Sequence, residues 1–98
     1  MERKKSDLYC YMAELYISRY TELQDKKLLT DSIDLYNQAI RLEPECVKAY
    51  IGLAYLEYTY GKTKNAYMLL NKAKLIDPFN IQVNKLRQTI KKELDEKI

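Results

Sequence analysis

The only two prolines of this 98-residue chain, Pro44 and Pro78, stand 34 positions apart. Each closes the same phrase. Aliphatic and acidic residues run up to the proline ("RLEP", "LIDP"), and a short polar step opens a new periodic stretch ("ECVKAY", "FNIQVN"). A recurrence at fixed interval constrains a short chain more than any single residue does. One supersecondary unit is written twice, and its copies bury their apolar faces by stacking. The composition agrees with helices as that unit: 47% hydrophobic residues are too many for disorder, and 2 glycines with 2 prolines are too few for a sandwich of short strands.

Apolar residues recur at three- and four-residue steps along five stretches, and no stretch alternates with period two. The first helix is expected from Ser6 to about Glu22, with Ser6 or Asp7 as N-cap and Leu8, Tyr9, Met12, Ala13, Leu15, Tyr16, Tyr20 and Leu23 on one broad face. After "QDKK", Asp25 caps a second helix whose face runs Leu28, Leu29, Ile33, Tyr36, Ala39, Ile40 and Leu42. It stops at Glu43, because the residue before a proline is pushed out of the α region. The third helix, after "PEC", carries Val47, Tyr50, Leu53, Ala54 and Leu56 to Tyr60, and Gly61 closes it with φ > 0. "GKTKN" connects it to a fourth helix with Ala66, Leu69, Leu70, Ala73 and Ile76. A fifth carries Ile81, Val83, Leu86, Ile90 and Leu94 as a narrow stripe.

Laying the proline-terminated blocks on one another pairs Ser32 with Ala66, Tyr36 with Leu70 and Ala39 with Ala73. Upstream, "AYIGLAYLEYTYG" resembles the helix–turn–helix signature of the tetratricopeptide repeat, W-x₂-L-G-x₂-Y…A-x₃-F…P. Tyr50 stands for the Trp, Leu53 and Ala54 for Leu-Gly, Ala66 for the later Ala, Leu70 for the Phe and Pro78 for the Pro. The first block repeats the head in "LYCYMAELY", with Tyr9, Met12, Ala13 and Tyr16 in the corresponding places. Tyr9 to Pro44 spans seven residues more than Tyr50 to Pro78, so the first hairpin is lengthened. Glu57 stands where the pattern has Tyr, Ser32 replaces an Ala, and the last helix lacks the Trp and Leu-Gly positions.

The resemblance covers residues 6–80 and implies an all-α fold. Antiparallel helical hairpins would stack as a short α-solenoid, a right-handed superhelix of five helices in a single domain. Residues 6–44 form the first hairpin, 47–78 the second and 80–97 a C-terminal capping helix, apolar inward and polar outward as solenoid ends require. Small residues (Ala13, Ala39, Ala54, Ala66, Ala73) let neighbouring helices approach closely, and Tyr and Leu fill the gaps between them.

Chemistry is sparse. There is no histidine, so the usual general base and commonest metal ligand are both missing. Gly52 and Gly61 are isolated, so no phosphate-cradling loop exists, and no carboxylates have calcium-loop spacing. We expect no enzyme, no cofactor and no metal. Seventeen basic and 14 acidic side chains are interspersed rather than sorted onto one stripe, which argues against nucleic acid. Tyr55, Tyr58, Tyr60 and Tyr67 lack the interleaved cationic groove of a base-stacking platform. No apolar run nears the ~20 residues that span a bilayer. Cys10 and Cys46 match no secreted cysteine framework, and no apolar h-region follows Met1, so a reducing, cytoplasmic setting is expected. The pair could serve as a redox couple, but free cysteine commonly behaves as a small hydrophobe, and that reading is preferred.

By the resemblance, the first helix of each hairpin lines a concave groove that takes a protein or peptide partner. Its residues would be Asp7, Cys10, Glu14, Ile17 and Ser18, then Lys48, Ile51, Tyr55, Tyr58 and Thr59, with Gln82 and Lys85 from the cap. Relatives that clamp C-terminal carboxylates use Lys, Asn and Arg; here the matching places hold Cys10, Glu14, Gly52, Gln82 and Leu86, so no clamp forms. Ile17, Ile51, Tyr55 and Tyr58 suit an apolar helix or extended peptide instead. The implied roles are adaptor, scaffold or chaperone-like capture. The rival reading is a homodimer, since two repeats and a cap fall short of the roughly three units that make a stable stack.

Overall fold

The computed structural model describes residues 4–96. Within them the chain is all α: α1 (Lys5–Leu23), α2 (Lys26–Leu42), α3 (Val47–Thr59), α4 (Thr63–Ile76) and α5 (Ile81–Glu96), with no strand. It divides into two compact units, residues 1–49 and 50–98, and the division falls inside α3. The lengthened first hairpin is observed: α1 and α2 have 19 and 17 residues, α3 and α4 only 13 and 14.

In the first unit, α1 and α2 pack on one another across a two-residue connection, which makes them an antiparallel hairpin. Gln24 ends α1 in the left-handed region (φ 57°), and its N–H bonds the Tyr20 carbonyl at 2.7 Å, closing the helix in an αL cap. Asp25 caps α2 as expected, its Oδ1 accepting from the Lys27 N–H at 3.0 Å, and α2 stops at Leu42 with Glu43 as C-cap. The expected cap of α1 needs correction. The helix begins one residue earlier, at Lys5, and Lys4 takes the cap position with no side-chain bond to the helix's first amides. The Ser6 hydroxyl is committed elsewhere, donating to Glu43 Oε2 at 2.6 Å, while Lys4 Nζ lies 3.2 Å from Glu43 Oε1.

These two bonds, Ser6 first and Lys4 second, hold the Glu43 carboxyl below its ordinary range. A carboxylate whose pKa is depressed by folding stabilises the fold above its unfolded pKa, and that contribution disappears as pH falls through the lower, folded value. Glu43→Gln is therefore expected to lower the melting temperature near pH 7, with the gap from wild type closing below about pH 4. Thermal melts across that range check it; a gap independent of pH would remove Glu43 from the account.

In the second unit, Ala54 of α3, Ala66 and Leu70 of α4 and Ile90 of α5 form the buried core, with Tyr58, Tyr67, Leu69, Leu86 and Leu94 packed against it. Gly61 (φ 81°) ends α3 in a full Schellman motif: its N–H bonds Tyr58 O at 3.0 Å and the Lys62 N–H bonds Glu57 O at 2.8 Å. The connection is shorter than "GKTKN", since α4 already begins at Thr63. Asn80 caps α5 through Val83 N–H at 3.0 Å. Polar pairs stitch α4 to α5. Arg87 Nε donates to Asn71 Oδ1 at 2.6 Å with its guanidinium 5.1 Å from the Tyr67 ring centre, and Lys74 Nζ bonds Asn84 Oδ1 at 3.2 Å.

The 34-residue recurrence is structural. Leu29, Ser32, Tyr36 and Ala39 of α2 are buried, and so are their counterparts Thr63, Ala66, Leu70 and Ala73 of α4. The proline turns repeat bond for bond. Glu43 N–H bonds Ala39 O at 2.9 Å and Cys46 N–H bonds Glu43 O at 3.0 Å; Asp77 N–H bonds Ala73 O at 2.9 Å and Asn80 N–H bonds Asp77 O at 3.2 Å. The C-cap residues share one backbone conformation as well, φ −141° and ψ 94° at Glu43 against φ −137° and ψ 81° at Asp77. Two prolines thus close equivalent turns, which makes this a helical-hairpin chain with an internal repeat.

Ser32, the departure from Ala in the first block, is accommodated by its own helix. Its buried hydroxyl bonds the Leu28 carbonyl at 2.8 Å and also lies 3.2 Å from the Ala13 carbonyl of α1. A hydroxyl satisfied in this way costs little at a tight helix contact, where an unsatisfied one would be expensive.

Candidate interaction surface

The expected face of α1 is only partly the buried one: Ala13 is fully buried and Tyr9, Tyr16 and Tyr20 are half-buried, but Leu8, Met12, Leu15 and Leu23 are exposed. Ser6, Cys10 and Ala13 are its buried residues, whereas Leu8, Tyr11, Met12 and Leu15 are between 41% and 52% exposed. The helix carries apolar residues nearly all round, so periodicity cannot say which strip meets α2; small residues won because they let the helices close up. The exposed four follow the i, i+3, i+4, i+7 spacing of a single stripe. Tyr11 lies outside the groove list, and only the unusual apolar breadth of "LYCYMAEL" hinted at it.

A comparison inside the chain sharpens this. Pairing Tyr9 with Tyr50 places Ala13 on Ala54, both fully buried. It also places Leu8, Met12 and Leu15 on Ala49, Leu53 and Leu56, which are all buried. The face that α3 buries is the face that α1 leaves open.

The groove residues named from the resemblance fall on both units. On α1, Glu14 is exposed and Asp7 and Ile17 are half-buried; Cys10 is buried, its thiol turned to Cys46. Lys48, in the first turn of α3, is exposed. Farther along α3, Tyr55 is 55% exposed and Ile51 half-buried, while Tyr58 packs on the second unit's core. Tyr58 also hydrogen-bonds the Glu93 carboxylate, which raises its phenol pKa. Gln82 and Lys85 are exposed on α5. Ile81, expected in the inward stripe of α5, instead faces solvent beside the 90%-exposed Phe79 of the turn, because Val83 and Ile90 take the contact with α4.

Between α3 and α4 a shallow cleft of about 270 Å³ is lined by Glu57, Asn65, Met68, Leu69 and Lys72. It is below the usual size of a small-molecule pocket. Glu57 Oε2 is buried without a hydrogen-bond partner among the described residues. No group of three or more Cys, Asp or Glu is placed to hold a metal ion among the described residues, and no described helix is long and apolar enough to cross a membrane.

The class that fold and surface define is a helical-hairpin protein with an exposed apolar stripe on α1 and an exposed tyrosine, Tyr55, on α3. Comparison with protein-family models, curated proteins and solved structures finds no match.

Proposed function

We propose that this chain is a non-enzymatic protein–protein interaction module of tetratricopeptide type, an adaptor or chaperone-like protein that binds an apolar helix or extended peptide. The observation that carries the reading is the α1 stripe. Four large apolar side chains at helical spacing stay in water on a helix whose other side is packed. In the second unit Tyr55 is an exposed aromatic on α3 with the half-buried Ile51 one turn before it, and in the first unit the half-buried Ile17 adds an aliphatic side chain to α1. Glu14 and Lys48 in the first unit, and Gln82 and Lys85 in the second, are exposed polar side chains of the kind found at an interface rim. Cys10, being buried, is left out of the contact set.

Captured partners should be lost with Tyr55→Ala, whose affinity falls roughly 5- to 30-fold as for an aromatic hot spot, while its melting temperature stays near wild type. Cross-linked affinity capture with this variant tests it. Partners that survive Leu8→Ser/Leu15→Ser would sink the reading, and partners lost with that variant but kept with Tyr55→Ala would confine the site to the α1 stripe.

A second reading is favoured by the internal comparison: a face that α3 buries and α1 exposes suits a second copy meeting it about a two-fold axis. Sedimentation velocity over a concentration series distinguishes the two, since only self-association shifts with the protein's own concentration and is abolished by Leu8→Ser/Leu15→Ser.

A further inference from the structure

The first unit contains a feature that partner binding does not use. Cys10, on the second turn of α1, and Cys46, in the turn before α3, place their Sγ atoms 3.8 Å apart. Both are buried, at 2% and 5% exposure. They are the only cysteines of the chain, so no other intramolecular pairing competes. We propose that Cys10 and Cys46 are a redox pair that closes to an intramolecular disulfide and staples α1 to the proline turn.

The surroundings favour closure. A disulfide needs its sulfurs about 2.05 Å apart, so they must approach by under ~2 Å. Cys46 lies outside any helix, held by its N–H bond to Glu43 O in the Pro44–Glu45 turn, so its backbone can yield where a helical residue's would not. Ser6 and Cys10 are one helical turn apart on the same side of α1, and Ser6 already bonds Glu43 at 2.6 Å. The covalent link would therefore join two segments that polar contacts hold in register.

The oxidant is a low-molecular-weight disulfide. Cys46 attacks first, because it lies in a turn that can open to the oxidant, whereas Cys10 is fixed within α1. The Cys46 thiolate displaces one small thiol and forms a mixed disulfide. Cys10 then attacks the Cys46 sulfur, its proton passing to the second small thiol as that leaves. The two cysteines give up two electrons and two protons, and the small disulfide takes them to become two thiols. The product encloses residues 10–46, a loop long enough for a cross-link to restrict the unfolded chain strongly.

The test oxidises the full chain with excess oxidised glutathione, unfolds it, blocks free thiols with a maleimide and weighs it intact. The expected product is lighter by two hydrogens, carries no maleimide, and melts roughly 10–20 °C above the reduced chain until a phosphine reductant returns it to baseline. The closure equilibrium against glutathione should be about 10²–10³ times more favourable folded than in concentrated guanidinium, since the ratio measures how far the fold pre-arranges the pair. Cys46→Ser should show neither the lighter mass nor the higher melt. Two maleimides or two glutathione adducts per chain, a dimer linked between chains, a ratio near one, or a disulfide that lowers the melting temperature would each overturn the pair.

Discussion

Leu70→Ala is expected to lower the melting temperature by roughly 10–25 °C, a large effect for one apolar truncation. Leu70 is fully buried in the second unit's core beside Ala54, Ala66 and Ile90, three of its neighbours coming from three helices. Removing a buried leucine forfeits its transfer free energy and leaves a cavity, together about 2–5 kcal/mol. Against a total stability of about 5–15 kcal/mol for a small domain, that is a large share. Leu75, one helical turn and a residue farther along α4 and 83% exposed, is the internal control: Leu75→Ala should leave the melt within a few degrees of wild type. Equal losses for the two leucines would show that the α4 face has been assigned the wrong way round.

The second large effect is steric and tests the repeat itself. Ala39 and Ala73 are fully buried at equivalent places, each accepting through its carbonyl the bond that begins a proline turn. Ala39→Leu and Ala73→Leu each force three extra carbons into a close helix contact, at a cost of about 1–3 kcal/mol or more from displaced backbone and strained rotamers. Urea titrations should show both midpoints falling by similar amounts with slopes unchanged. If one substitution is neutral, the two alanines do different jobs and the 34-residue equivalence stops short of the packing.

Much of this fold is legible along the chain because it is written in local terms. Asp25 precedes a periodic run and caps it; a proline excludes the helix at Glu43 and again at Asp77; a glycine ends α3. Each depends on the backbone of a few adjacent residues, so the sequence carries the whole signal. Gln24 shows the limit of such signals, since a non-glycine closes α1 in the left-handed region with nothing in its identity to announce it.

Which face of α1 stays exposed is not legible in the sequence, for a physical reason. On α2 polar residues occupy one side and leave a single apolar face to bury, and Leu29, Tyr36 and Ala39 are buried accordingly. On α1 tyrosine, leucine and methionine surround the axis, so hydropathy nominated a broad strip that includes Leu8, Met12 and Leu15, all of which remain exposed. Helix-to-helix distance decided the matter, choosing the side with Ser6, Cys10 and Ala13.

By itself, then, the sequence determined the helix boundaries set by capping and proline, the absence of histidine chemistry, and the repeated turn, because each is local or compositional. Only the tertiary structure decided which face of α1 meets α2, that Ser6 serves Glu43 instead of a helix end, and that two thiols 36 positions apart lie in contact. Those outcomes depend on distances between segments remote along the chain, and no periodicity within one segment encodes them.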